Sequence, residues 1–120
     1  MIIRHKKTFH FVLECNPELR QALKWGGWGN GYAAVMPGHP LYEMEYNDIY
    51  EVCKIDIDSE LTYSGYAESL SIPDDIKIPA KAWVIGFDTL HWDDTLERWP
   101  KEAVLAEAKK LEKQINDMIL

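Results

Sequence analysis

Asp88, His91, Asp93 and Asp94 fall within one short stretch, Trp83-Val-Ile-Gly-Phe-Asp-Thr-Leu-His-Trp-Asp-Asp94, where an apolar run stops in a cluster of acids around one histidine. Mixed carboxylate and imidazole donors suit a divalent cation, and a water bound to it could be activated to hydrolyse a phosphoester, amide or glycosidic bond. The metal-ligand candidates are Asp58, Asp88, His91 and Asp93, with Asp94, Glu60 and His39 as further donors. Without a metal, Asp88 could orient His91 as a general base, which makes these two the catalytic candidates. No cysteine is placed as a nucleophile, and Ser64 is the one hydroxyl in contention. The competing reading is structural: Asp88 ends a strand and hydrogen-bonds the following turn, while Asp93 or Asp94 caps the next helical segment, with Glu97 three residues beyond Asp94 as in a capping box.

The elements that must position these residues follow from periodicity. In a strand over 83–88, Trp83, Ile85 and Phe87 share one face and Val84, Gly86 and Asp88 the other. Thr8 to Cys15 is an opening strand with Phe9, Phe11 and Leu13 on one face. Asn16, Pro17 and Glu18 then supply a cap, a first-turn proline and an early acid for a short helix to Lys24. Trp25 to Gly31 is a glycine-rich loop without the spacing of a phosphate cradle. Its glycines let the backbone turn while Trp25 and Trp28 pack, the alternative being an exposed aromatic platform.

Tyr32 to Met36 is a strand stopped by Pro37. Gly38-His39-Pro40-Leu41-Tyr42 is a rigid turn whose histidine is expected at the surface, facing a ligand or hydrogen-bonded to backbone. Residues 43–50 make an irregular loop or short helix. Val52 to Tyr66 alternates apolar and polar residues and predicts extended structure or a hairpin. Residues 67–81, with Pro73 and Pro79, form a surface loop. Pro100 opens a helix over 101–119 in which Val104, Ala108, Leu111, Ile115 and Met118 recur at helical spacing. The whole is one α+β domain, residues 1–120, with a small antiparallel or mixed sheet and a long C-terminal helix packed on one face.

Of the 120 residues, 47% are hydrophobic and 28% charged, a globular composition. The net charge of −7 is concentrated: residues 41–100 carry four basic and fourteen acidic side chains, against five and two before them. An acidic middle excludes direct nucleic-acid binding there, since phosphate contacts need Lys and Arg. It is compatible with a cation site, a basic protein partner, a nucleic-acid mimic or a solvated surface. The basic start of the chain is followed by no apolar segment of signal length, and no run approaches a membrane span, so a cytoplasmic protein without membrane contact is expected. Cys15 and Cys53 lie in no zinc-binding spacing and are expected as buried thiols. Five tryptophans and six tyrosines make recognition surfaces where exposed. The residues to watch are Trp25, Trp28, Tyr42, Tyr46 and Trp92. The ligand-binding candidates are Trp28, Tyr32, His39, Tyr42, Asp88, His91 and Trp92.

Four motifs in order, Gly31-Tyr-Ala-Ala-Val-Met-Pro37, His39-Pro40-Leu41-Tyr42, Leu61-Thr-Tyr-Ser64 and Trp83-Val-Ile-Gly-Phe-Asp-Thr-Leu-His91, resemble a family of small uncharacterised proteins of bacteriophages and prophage regions. Its members look like Gly-Tyr-Val-Ala-Val-Pro, His-Pro, His-Gly-Gly-Leu-Thr-Tyr-Ser and Trp-x-Gly-Phe-Asp-x-x-His-x-Gly-Asp. The match covers roughly residues 25–94 and carries over His39, Asp88 and His91. It departs at Asp58-Ser59-Glu60, where the family has His-Gly-Gly, and at Trp92-Asp93. Aspartate in place of that histidine would still serve a hard cation but not a base working near neutrality. The resemblance implies a phage or prophage accessory protein. Two functions are then in play: a non-enzymatic module binding a host protein or small ligand through an acidic, aromatic-rich face, or a metal-dependent hydrolase at Asp88 and His91.

Overall fold

The structure, a computed structural model, describes residues 7–118. The first six residues of the basic start and the Ile119 end of the expected helix lie outside the described residues. In chain order the elements are β1 (Thr8–Glu14), α1 (Pro17–Leu23), β2 (Gly29–Val35), α2 (Tyr46–Val52), β3 (Tyr63–Tyr66), a 3-10 turn (Ala67–Ser69), β4 (Trp83–Phe87) and α3 (Lys101–Asn116). The strands form one antiparallel sheet in the order β1-β2-β4-β3, and α3 packs against β1 and β2. This is the α+β architecture that the alternating strands and the long amphipathic helix predict.

Strand alternation sorts the side chains into two layers. Ala33, Val35, Ile85 and Phe87 face α3 and are buried with Val104, Ala108, Leu111 and Ile115. Each fully buried Leu, Ile or Phe here contributes about 1.5–3 kcal/mol relative to an exposed one. Phe11, Tyr32, Ala34 and Val84 face the other way, where Ala67, Leu70, Ile72, Ile76, Ile78 and Ala82 cover one end of the sheet. The loop between β3 and β4 is therefore a lid on the second face.

Two glycines fix the register where β4 approaches the acidic segment. Gly31 pairs with Phe87 and Tyr32 with Gly86. A Cβ on Gly31 would lie 2.3 Å from Phe87 Cζ, and one on Gly86 the same distance from Tyr32 Cδ1. Each aromatic ring thus lies across the neighbouring strand's glycine, on opposite faces of the sheet.

Three expectations are corrected. The segment 52–66 is no hairpin: α2 runs to Val52, residues 53–62 are irregular, and only Tyr63–Tyr66 is a strand. Its alternation is real, since Cys53, Ile55 and Ile57 pack on the core while Lys54, Asp56 and Asp58 are exposed. Among the described residues no strand lies alongside; Asp56 pairs instead with the Gln114 carboxamide, its N–H donating at 2.8 Å and its carbonyl accepting at 2.7 Å. Second, neither Asp93 nor Asp94 caps the segment that follows: Thr95 Oγ1 accepts from Arg98 N there at 3.0 Å, and α3 starts after Pro100 with no side-chain cap. Third, both thiols are free but only half-buried, and burial pushes that of Cys53 up. Among the described residues no helix is long and apolar enough to cross a membrane.

Candidate functional site

The glycine-rich loop and the segment after β4 are zipped together by backbone bonds. The N–H groups of Gly26, Gly27 and Trp28 donate to the carbonyls of Asp94, Thr89 and Trp99 at 2.8, 2.6 and 2.8 Å. A Cβ on Gly27 would sit 2.4 Å from Thr89 Oγ1, so only glycine lets the strands of this seam close. Thr89 is itself buried and donates to the Gly29 carbonyl at 2.7 Å. The seam fixes both ends of residues 89–94 and leaves their middle at the surface.

Asp88 and His91 form the ridge of that surface. Asp88 Oδ1 accepts from Leu90 N at 3.1 Å, an Asx turn that ends β4. Asp94 is 6% exposed, and its Oδ2 accepts from both His91 N and His91 Nδ1 at 3.0 Å. Asp88 Oδ1 stands farther off, 3.7 Å from Nδ1. The Asp94 hydrogen bond raises the His91 pKa; desolvation opposes it, and the charges of Asp88, Asp94 and Asp93 add to it. Asp94 is thus the residue that orients the imidazole, the role expected of Asp88. The sequence disguised it, because an acid three residues from a histidine and just before a helix resembles a cap.

On one side of the ridge lies a cleft of about 320 Å³. Asp58, Glu60 and Asp93 line it with Asp88, His91 and Asp94, and Trp92 and Arg98 stand over it. Asp58 and Glu60 are brought there by Glu107, a carboxylate 4% exposed on the core side of α3. Its Oε2 accepts from Ser59 N at 2.7 Å and Ser59 Oγ at 2.9 Å. Glu107 is absent from the sequence-derived candidates, although its spacing from Val104 and Leu111 places it on the buried stripe. Arg98, the one basic residue of the cleft, lies over the Trp99 ring at 5.7 Å. Trp92 is 80% exposed.

On the other side, on the sheet face away from α3, Asp88 and His91 border a second hollow floored by Tyr32 and Tyr63. Tyr32 stacks on Phe11 and meets Tyr63 edge-on. Burial raises its pKa, with the Asn30 hydrogen bond opposing.

Three candidates are not at this site. His39 is buried, against the expectation of a surface histidine; its Nδ1 accepts from Leu41 N at 3.0 Å and its Nε2 meets the Ile115 carbonyl at 3.0 Å. Tyr42 is half-buried and donates to the Lys81 carbonyl at 2.7 Å. Trp28 packs on the core beneath the Lys101 ammonium, 5.5 Å from its ring. Ser64 is occupied as well, donating to Glu45 Oε2 at 3.0 Å and accepting from Tyr46 N. Asp58, Asp88, His91 and Asp93 do share the cleft, yet among the described residues no three His, Cys, Asp or Glu side chains are grouped to hold a metal ion.

No family model matches the chain, and no curated protein or solved structure matches it either. Among the described residues, five carboxylates face one guanidinium around an open cleft, with an exposed indole at its edge and an imidazole whose Nδ1 is held by Asp94. Such a surface attracts cations and offers an apolar plate beside them.

Proposed function

We propose that this chain is a cytoplasmic accessory protein of phage or prophage type that binds a basic segment of a host protein, without chemistry, through the cleft beside His91. The observation that carries this reading is the lining of that cleft: Asp58, Glu60, Asp88, Asp93 and Asp94 against the single Arg98, with Trp92 projecting beside them. Trp25, at the seam that joins this segment, is exposed as well, which keeps the aromatic half of the reading. The resemblance of its ordered motifs to those of phage and prophage proteins supplies the context.

Calorimetric titration with a capped lysine- and arginine-rich peptide tests the proposal. Binding is expected to be saturable, to weaken as salt rises through about 0.1 M, where the Debye length is about 10 Å, and to fall about tenfold in the double variant Asp58→Asn/Asp93→Asn. Equal affinity in wild type and double variant, or equal affinity for an acidic peptide, overturns it.

The metal-dependent hydrolase has one observation on its side, the imidazole oriented by a buried carboxylate. It needs at least one further ligand drawn in by the metal. Elemental analysis of protein purified without chelator decides it: stoichiometric metal in wild type that disappears in His91→Ala supports this second reading, and no metal in either removes it.

A further inference from the structure

The second hollow, about 500 Å³ on the far side of the Asp88/His91 ridge, is built from three separate stretches of chain. Asn30 and Tyr32 come from β2, Thr62 and Tyr63 from the start of β3, Asp88 from the end of β4, and His91 from the turn beyond. The sheet register brings them together, since Tyr32 and Tyr63 both pair with Gly86 from its two sides. The two tyrosines meet at 90° with centroids 6.1 Å apart, and Tyr63 is only half-buried, so its phenol ring is part of the wall of the hollow.

Beside the Thr62 and Tyr63 hydroxyls, which can donate or accept, the hollow holds two acceptors left open. Asn30 Nδ2 donates to the Tyr32 hydroxyl at 3.3 Å, while Asn30 Oδ1 is buried with no hydrogen-bond partner. Asp88 uses Oδ1 for Leu90 N, and among the described residues its Oδ2 accepts nothing. An orphaned buried acceptor costs stability until a donor reaches it. Acceptors beside an aromatic wall select a ligand that is flat, positively charged and rich in N–H donors. A guanidinium or amidinium satisfies all three conditions, because its planar fork bonds a carboxylate and stacks on a ring, whereas an ammonium does neither as well.

We infer that this hollow binds a guanidinium or amidinium group, with Asp88 as its carboxylate partner, Asn30 as a second acceptor and Tyr63 as the stacking surface. The hollow shares Asp88 and His91 with the cleft but not Asp58 or Asp93, so variants at those two positions tell the two sites apart.

The test is a titration of the full chain with benzamidine, followed by amide chemical shifts at physiological ionic strength. Benzamide, of the same shape without the charge, is the control. Saturable shifts are expected at residues 30, 32, 62, 63 and 88–91, with benzamide at least about tenfold weaker. Asp88→Asn retains the Leu90 turn acceptor and so the fold, and it is expected to weaken benzamidine about tenfold while Asp58→Asn leaves it unchanged. A capped tripeptide with central arginine separates the two sources of the group. Binding as tight as benzamidine at the same residues assigns an arginine side chain of a protein, and benzamidine binding alone assigns a free small molecule. No saturable shift, equal affinity for benzamide, no effect of Asp88→Asn, or shifts gathered at Asp58 and Trp99 overturns the inference.

Discussion

His39 and His91 each stand four residues past the end of a central strand, β2 closing at Val35 and β4 at Phe87. Their fates differ because of what lies beyond each strand end. The turn after β2 folds onto the last turn of α3, where helix carbonyls lack intrahelical partners. His39 supplies one, its Nε2–H donating to the Ile115 carbonyl while Nδ1 accepts from Leu41 N. It is a cap delivered from another part of the chain. In the turn after β4 the glycine seam holds the flanks and Asp94 takes one imidazole nitrogen. The His91 side chain stays 53% exposed and lines both hollows. Burial with one backbone acceptor and one backbone donor occupies both nitrogens of one histidine, and a single buried carboxylate aims the other.

Variants at these positions separate a structural histidine from a surface one. The largest effect is expected for His39→Ala, which leaves a cavity and two unpaired backbone groups: a loss of about 2–4 kcal/mol in urea unfolding, with peptide binding by the folded fraction unchanged. Asp94→Ala strips His91 of both its hydrogen bonds and is expected to lose about 1–3 kcal/mol. The His91 midpoint, followed by proton resonances, then falls back toward its ordinary value. His91→Gln is smaller, under about 1 kcal/mol, because the pair is half in water. Its sign with pH is fixed: the folded-state pKa is raised, so the stabilisation is fully present below about 6.5 and disappears as pH rises through the raised value. The gap between wild type and His91→Gln therefore closes on the alkaline side, and a gap that widens there contradicts the pairing. Trp92→Ala is expected to change stability by less than about 0.5 kcal/mol while weakening the basic peptide severalfold.

What local sequence could show of all this is set by range. Strands β1, β2 and β4 and helix α3 are legible because each has its own period and its own face. Residues 53–62 have the period of a strand, but their positions come from Gln114, Glu107 and the Tyr50 hydroxyl, which accepts from Leu61 N at 2.9 Å. Those partners lie on other elements, so alternation alone cannot distinguish this run from a hairpin. At the site, Asp88 and His91 stand out through the abrupt change of composition at the end of β4. Asp58 joins them only because Glu107, far along the chain, holds Ser59. The burial of His39 is equally remote in origin, resting on where the end of α3 comes to lie.

The most direct test follows the two imidazoles during titration with the basic peptide. If the acidic cleft beside His91 is the binding surface, the His91 ring resonances move saturably and its pKa falls as the peptide's cations approach, while those of His39 do not move. Saturable binding that leaves His91 unmoved, or that shifts His39 instead, contradicts the account.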